Sequence, residues 1–337
     1  MSHSQHDNLR MMRVIKDAKI PTIGLCMGEI GAPTRVLCGK FGSPFSFATF
    51  HAERSMAPGQ LSFQEMRDLY RFETINADTD VYGVIADPVA HSLSPKVHNA
   101  AFGSLGMNKV YLPFRVAPDE LPSFLANCRE LGVKGLSVTI PHKEQVMRYL
   151  TQSDEPSTVI GAVNTIDFST ATASGSNTDY YAAMQSVLRA MGRSDLERPL
   201  TGVKALVLGS GGVARAIVHG LKNYGAEVTI TGRTPINVDD LAHRFHCTTV
   251  PWDERHGAKC DLLVNCTPVG MHPNVDETPY DERGMRGSMV VFDTIYNPEQ
   301  TLLIKKARNA GCTTITGVDM FVTQAALQFK KFTGEDA

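Results

Sequence analysis

Near the middle of the chain an apolar run, Lys204 to Leu208 (KALVL), passes without a linker into GSGGVARA (Gly209 to Ala216) and then into helically spaced apolar residues ending near Tyr224. This junction constrains the fold most, because glycines between a strand and a helix let backbone amides approach a pyrophosphate at the helix N-terminus. Gly209, Ser210, Gly211, Gly212, Val213 and Ala214 are therefore candidate cofactor-binding residues. Ala214 holds the third glycine position of the G-x-G-x-x-G pattern, which keeps a tight strand-to-helix turn as the competing reading. The rhythm continues with EVTITG, a helix to Phe245, and the strands DLLVNCT and MVVFDTIY. Such alternation predicts a doubly wound parallel sheet.

A second series precedes it. Val81 to Ala86 opens as a strand, and Ser94 and Pro95 stand as an N-cap and first helical residue. Val97, Ala101 and Leu105 mark a helix ended by Gly106. KVYLPFRV, a helix from about Pro118 to Leu131, the strand GLSVTI and a helix after Pro141 complete another parallel sheet covered by helices. The final helix, Val318 to Phe332, is expected to pack back on this unit. Ahead of both, IPTIGLCMGEIG and SPFSFATF read as two short strands, with helical segments between them and at LSFQEMRDLYRF. Residues Asn76 to Asp80 form a polar linker. The fold class is thus α/β, two doubly wound domains behind an N-terminal βα segment, as 337 residues allow.

Composition narrows the partners. With 42% apolar and 20% charged residues the chain has the make-up of an ordinary soluble globular protein. Lys plus Arg number 33 and Asp plus Glu 35, a net charge of −2 that advertises neither a nucleic-acid nor a membrane surface. Small molecules are the expected partners, and the oligomeric state stays open. Seven cysteines without C-x-x-C spacing argue against zinc and a disulfide framework, so no metal site and a cytoplasmic location are expected. Neither an apolar signal region nor a run of about 18 to 20 apolar residues is present.

Several polar residues stand where an open α/β sheet presents groups to ligands. Arg233, in Thr231 to Thr234 (TGRT), follows Gly209 by 24 residues, where an NAD protein usually has an acid for the ribose hydroxyls. Arginine there suits a 2′-phosphate, against a plain surface arginine. Lys143 closes VTIPHK at the mouth of a strand, and the bland alternative is a solvated lysine. Asp179 begins a helix after GSNT, so a capping carboxylate competes with a chemical role. Together, a cation and a carboxylate could manage one proton at a reacting carbonyl. In HSLS (His91 to Ser94), hydroxyls and free amides at a helix start suit a carboxylate, or Ser94 merely caps. Asn164, in GAVNT, ends a strand and competes with a turn-bracing role.

HSLSPKVHN, GLSVTIPHKE, GAVNT, GSNTDY, GSGGVARA, NCTPVGM, FDTIY and GVDMFVTQAA follow one another between about Val81 and Thr333. In this order they resemble the shikimate dehydrogenase family, in particular the dehydrogenase half of plant-type bifunctional dehydratase-dehydrogenases. The resemblance implies NADP(H)-dependent reduction of 3-dehydroshikimate to shikimate, with Lys143 and Asp179 catalytic. It implies substrate-binding Ser92, Ser94, Thr139, Asn164, Tyr296 and Gln324, and an NADP site lined by the glycine turn, Arg233, Thr234, Thr294 and Gly317. Residues 79–178 with 317–337 would form the substrate domain and 179–316 the cofactor domain. Three positions depart from the family pattern: Ser137 where many bacterial members have Asn, Gly232 where Asn usually precedes Arg-Thr, and Asn237 where a second basic residue often meets the 2′-phosphate. A quinate/shikimate dehydrogenase using NAD, and a non-catalytic quinate-pathway regulator, are the alternatives.

Residues 1–75 are similar to the C-terminal end of a type I 3-dehydroquinate dehydratase, a (β/α)8 enzyme, through MGEIGAPTRVLCGKFGS and APGQL. Arg35 and Gln60 fall on that family's substrate-binding positions and Met56 replaces its usual Ser. Its catalytic Lys and His would lie ahead of Met1, so no dehydratase activity is expected. With the other barrel strands absent, the segment is expected to be poorly packed or docked as a small appendage.

Overall fold

A computed structural model describes residues 1–51, 57–90, 92–193 and 197–337. Two compact units divide it: residues 1–154, 161–176 and 328–337, and residues 155–160 and 177–327.

In the first unit, α1 (Gln5–Asp17) and α2 (Ala32–Leu37) precede β1 (Asp80–Ala86), α3 (Ser94–Ser104), β2 (Lys109–Arg115), α4 (Leu121–Asn127), β3 (Val133–Val138) and β4 (Gln152–Ser153). After α5 (Glu155–Ile160), which belongs to the second unit, come β5 (Thr165–Asp167) and β6 (Ser174–Ser176). The strand order is β2-β1-β3-β5-β6-β4. β1 runs parallel to β2 and β3, but β5 is antiparallel to both β3 and β6. The sheet is therefore mixed rather than wholly parallel. After Pro141 only a short 3-10 turn, Gln145–Tyr149, forms in place of the expected helix.

Both faces of this sheet are buried, and alternation along the strands sorts them. Tyr82, Val84 and Ala86 of β1 and Tyr111 of β2 face Phe102 of α3 and the terminal Phe329 and Phe332. Val81 and Ile85, with Val110, Leu112 and Phe114, share a core with Leu9, Met12 and Ile15 of α1 and Val36 and Leu37 of α2. Of the two expected outcomes, poor packing or docking, the N-terminal segment is docked, and it supplies part of a core layer. α1 itself went unanticipated, though Leu9, Met12 and Ile15 recur at helical spacing and Asp7 accepts from the amides of His3 (2.9 Å) and Ser4 (3.3 Å) at its start. The expected strands at IPTIGLCMGEIG and SPFSFATF do not form; a single bridge, Thr49 to Ser62, is the ladder described there. A strand needs a neighbour for its backbone groups, and among the described residues of the segment only Thr49 and Ser62 pair in this way. Phe45, Phe47 and Phe50 remain exposed. Met56 and His91 lie outside the described residues.

The second unit continues through α6 (Thr178–Ala190), β7 (Lys204–Leu208), α7 (Gly212–Asn223), β8 (Glu227–Thr231), α8 (Pro235–Phe245) and β9 (Thr248–Thr249). It closes with β10 (Leu262–Asn265), β11 (Val290–Asp293), α9 (Leu302–Asn309), β12 (Thr313–Ile315) and α10 (Gly317–Thr333), whose residues from Gln328 on belong to the first unit. Its sheet is parallel throughout, in the order β12-β11-β10-β7-β8-β9. No helix among the described residues is long and apolar enough to cross a membrane.

Candidate functional site

In the second unit the strand order reverses between β7 and β10, and an open α/β sheet binds ligands beyond the carboxyl ends of the strands at such a point. Gly209 ends β7 there. Its φ of +107° suits glycine, its amide donates to Thr231 O (2.7 Å), and a Cβ on it would come within 3.0 Å of Cys266 O. Gly211 caps the twelve-residue α7 without a side chain and Gly212 opens it. A Cβ on either would meet nothing within 4 Å, so the first helical amides adjoin open space of the kind a dinucleotide diphosphate fills. Ser210 and Val213 flank this turn half-buried, and Ala214 is fully buried in the helix-sheet core, where a methyl is accommodated.

Arg233 stands just past β8, exposed and with no hydrogen bond or ion pair among the described residues. Thr234 is the N-cap of α8 but makes no side-chain capping bond, so its hydroxyl is not consumed by the helix. At Gly232 a Cβ would lie 2.9 Å from Val238 Cγ2, so the missing Asn is matched by the packing beneath it. Asn237 is exposed on the first turn of α8.

A buried knot that sequence reasoning did not single out joins the ends of β10 and β11. Asn265 Nδ2 donates to Asp293 Oδ1 (3.1 Å), while Asp293 also accepts from Thr301 Oγ1 (2.6 Å) and the Ile295 amide (3.1 Å). Burial pushes the Asp293 carboxyl up to about 6 despite these donors. Thr294 is fixed by the same knot, its amide and hydroxyl both donating to Asn265 O (3.0 and 2.9 Å). Gly317 passes so close to Ile295 that a Cβ would stand 2.2 Å from its carbonyl oxygen. Tyr296 is 40% exposed and packs on Phe321 at 5.4 Å. Gln324 is buried and accepts from Thr178 Oγ1 (3.5 Å) on the first turn of α6. Asn177 is the cap of that helix, accepting from the Tyr180 amide, so the capping position is not Asp179, which is buried on the first turn where the helix dipole favours an anion.

In the first unit, hydrogen bonds draw three loops together. The Thr139 amide donates to Ile85 O (3.1 Å), the Val138 amide to Asn164 O (2.7 Å), and the Val163 amide to Lys143 O (2.8 Å). Thr139, Lys143 and Asn164 therefore converge at the carboxyl ends of β1 and β3. The Asp87 amide donates to Ile140 O (3.2 Å), tying the loop that leads to Ser92 to the same place. Ser94 is the first helical residue and Leu93 the N-cap, which corrects the expected capping role; Ser92 Oγ accepts from the Ser94 amide (3.3 Å). Ser94 is buried and Ser92 half-buried.

Residues 84–166 match the family model of the shikimate dehydrogenase substrate binding domain, and residues 1–77 that of the type I 3-dehydroquinase. The chloroplastic bifunctional 3-dehydroquinate dehydratase/shikimate dehydrogenase of Arabidopsis thaliana is 39% identical over 97% of the chain, which spans 56% of that plant protein. A shikimate dehydrogenase (NADP(+)) of Methanopyrus kandleri is 42% identical over 78% of the chain and 93% of its own length. A crystal structure of a shikimate dehydrogenase in complex with NADP+ superposes with a TM-score of 0.72 at 37% identity, covering 78% of this chain and 92% of that one. With such identity along nearly the whole of one relative, the chain belongs to the shikimate dehydrogenase family.

Proposed function

We propose that the chain is an NADP-dependent shikimate dehydrogenase, interconverting 3-dehydroshikimate and shikimate in the route to aromatic amino acids. The observation that carries this reading is the parallel sheet that reverses at β7 and β10, with a glycine turn at the reversal and Arg233 where an NAD protein keeps an acid. NADPH, when bound, supplies the hydride that reduces the substrate ketone. Gly209, Ser210, Gly211, Gly212, Val213 and Ala214 would hold its diphosphate, Arg233 and Thr234 its 2′-phosphate, and Thr294 and Gly317 would line the remainder.

Toward the substrate, the first unit offers the hydroxyls of Ser92 and Ser94 for a carboxylate, and Thr139 and Asn164 for ring hydroxyls. Lys143 gives a proton to the oxygen that becomes negative as the ketone carbon is reduced, so hydride and proton together convert the carbonyl to an alcohol. The second unit offers Asp179 as acceptor for the hydroxyl beside that carbonyl, with Tyr296 and Gln324 as further contacts. The unpaired cysteines suit a reducing cytoplasm.

NADPH and NADH oxidation assayed with 3-dehydroshikimate tests the proposal. No oxidation of either cofactor would sink it. NAD reduction by quinate outpacing NADP reduction by shikimate would replace it with the quinate reading, which Asn237 supports by removing a second cation from the 2′-phosphate position.

A further inference from the structure

Five buried polar residues of the first unit form one continuous chain of hydrogen bonds. Tyr111 Oη donates to Ser137 Oγ (2.6 Å), and Ser137 Oγ to Gln328 Oε1 (2.8 Å). Gln328 Nε2 donates to Asn164 O (3.1 Å) and Thr165 Oγ1 (3.0 Å), and Thr165 Oγ1 to Asn164 Oδ1 (2.8 Å). All are buried, Tyr111 completely and Gln328 at 1% exposure. Hydroxyls can point either way, so on their own they would leave the direction of this chain open.

One backbone group removes that freedom. Asn164 O can only accept, so the Gln328 amide must present its NH2 there and its oxygen to Ser137. Ser137 must then donate, and its oxygen receives the Tyr111 proton. On the other branch, Thr165 Oγ1 receives from Gln328 and donates to Asn164, whose side-chain oxygen lies on that side. The NH2 of Asn164 is thereby turned the other way. His98, stacked on Tyr111 at 4.4 Å and buried, is held neutral with its pKa pushed down to about 4, so no cation intrudes on the chain.

We propose that Gln328 is a positioning residue that fixes the side-chain amide of Asn164 with its NH2 presented, so that Asn164 serves the substrate as a hydrogen-bond donor to a hydroxyl or carbonyl oxygen. This rests on the functional reading above. Ser137 supplies the rotatable hydroxyl that lets Gln328 adopt this sense. Gln328 escaped sequence reasoning because a glutamine in a terminal helix reads as a solvated face. The signal was its position three residues after Ala325 and seven after Phe321, on the apolar side of α10.

The test is a double-mutant cycle. Gln328→Met keeps the volume and removes both donors. It should raise the KM for 3-dehydroshikimate on the order of fivefold, the scale of one lost hydrogen bond, with the NADPH KM within about twofold. On an Asn164→Ala background the same change should add less than about twofold, because its route to the substrate is already gone. The milder Ser137→Ala should shift the same constant in the same direction. An equal factor on both backgrounds would overturn the proposal, since Gln328 would then act without Asn164, and so would substrate and NADPH constants that move together. Were the wild-type chain inactive on 3-dehydroshikimate, the functional reading would fall, and a crystal structure of Gln328→Met would decide the positioning role. An Asn164 amide rotated away from Thr165 supports it, and an unmoved one overturns it.

Discussion

Gly209 and Cys266 meet where β7 and β10 end, so closely that a Cβ on the glycine would stand 3.0 Å from the cysteine's carbonyl oxygen. The contact joins the two strands between which the sheet reverses, and with a φ of +107° it makes any side chain here strained. Gly209→Ala is therefore expected to store roughly 1 to 3 kcal/mol of strain. Relief would come from shifting the glycine turn. Thermal unfolding should show a lower midpoint, and fluorescence titration at least about a tenfold loss of NADPH affinity, worth some 1.4 kcal/mol. Unchanged affinity in a destabilised variant would separate the turn from the cofactor.

Lys143 is proposed to protonate the forming alkoxide. Lys143→Ala should then lower kcat by at least about 10², the scale of a lost general acid, while NADPH binding changes little. Turnover near wild type would remove Lys143 from the chemistry.

Arg233 and Thr234 are proposed to read the 2′-phosphate and so to set the choice of cofactor. For Arg233→Ala, NADPH should bind roughly 10- to 150-fold more weakly and NADH almost as before, as for one hydrogen bond to a charged group. Equal losses for the two cofactors would show that Arg233 does not read the 2′-phosphate.

The buried Asp293 carboxyl gives a pH signature. Its pKa is raised from 3.8 to about 6, so between these values the folded state holds a proton that the unfolded chain has released. The contribution of this group is fully present below pH 4 and is lost as pH rises through 6, with a slope of up to about 1.4 kcal/mol per pH unit. Urea unfolding of the wild type between pH 4 and 7 should contain this falling segment, and Asp293→Asn should lack it. Parallel pH profiles would place the titration elsewhere.

What the sequence made legible follows from range. The second unit could be read almost element by element because each signal is local: KALVL, the glycine turn and the next helix adjoin one another. In the first unit, β5 and β6 are three residues each, too short for any periodicity, and they pair antiparallel only because the chain doubles back between them. Ser before Pro reads as a helix cap, which points to Ser94, whereas Leu93 holds that position. The Asn265 to Asp293 bond and the Gln328 to Asn164 bond span 28 and 164 residues of sequence, distances at which no pattern of residue types reveals a hydrogen bond. The N-terminal segment misled because its strands belong by resemblance to a barrel, while its described residues meet a different sheet.

That sheet decides what the segment contributes. Leu9 and Met12 are 2% and 0% exposed, in one core with Val81, Ile85, Val110, Leu112 and Phe114. Gln5 Nε2 adds a hydrogen bond to Arg115 O (2.8 Å) and Arg71 one to Lys109 O (2.9 Å), at opposite ends of β2. The exposed pairs Arg13 to Glu130 and Arg115 to Glu29 add little, since salt and water screen them. Leu9→Ala and Met12→Ala should each cost about 2 to 5 kcal/mol of unfolding free energy, as buried large-to-small changes do. Because neither residue is among those proposed to touch substrate or cofactor, kcat and KM should stay within about twofold of wild type below the melting transition. Deleting residues 1–79 should do more, stripping one face from β1 and β2 and yielding a chain that aggregates or binds a hydrophobic dye. A deleted chain that unfolds cooperatively at the wild-type midpoint would show instead that the sheet needs no cover on that face and that the segment is attached to the core without being part of it.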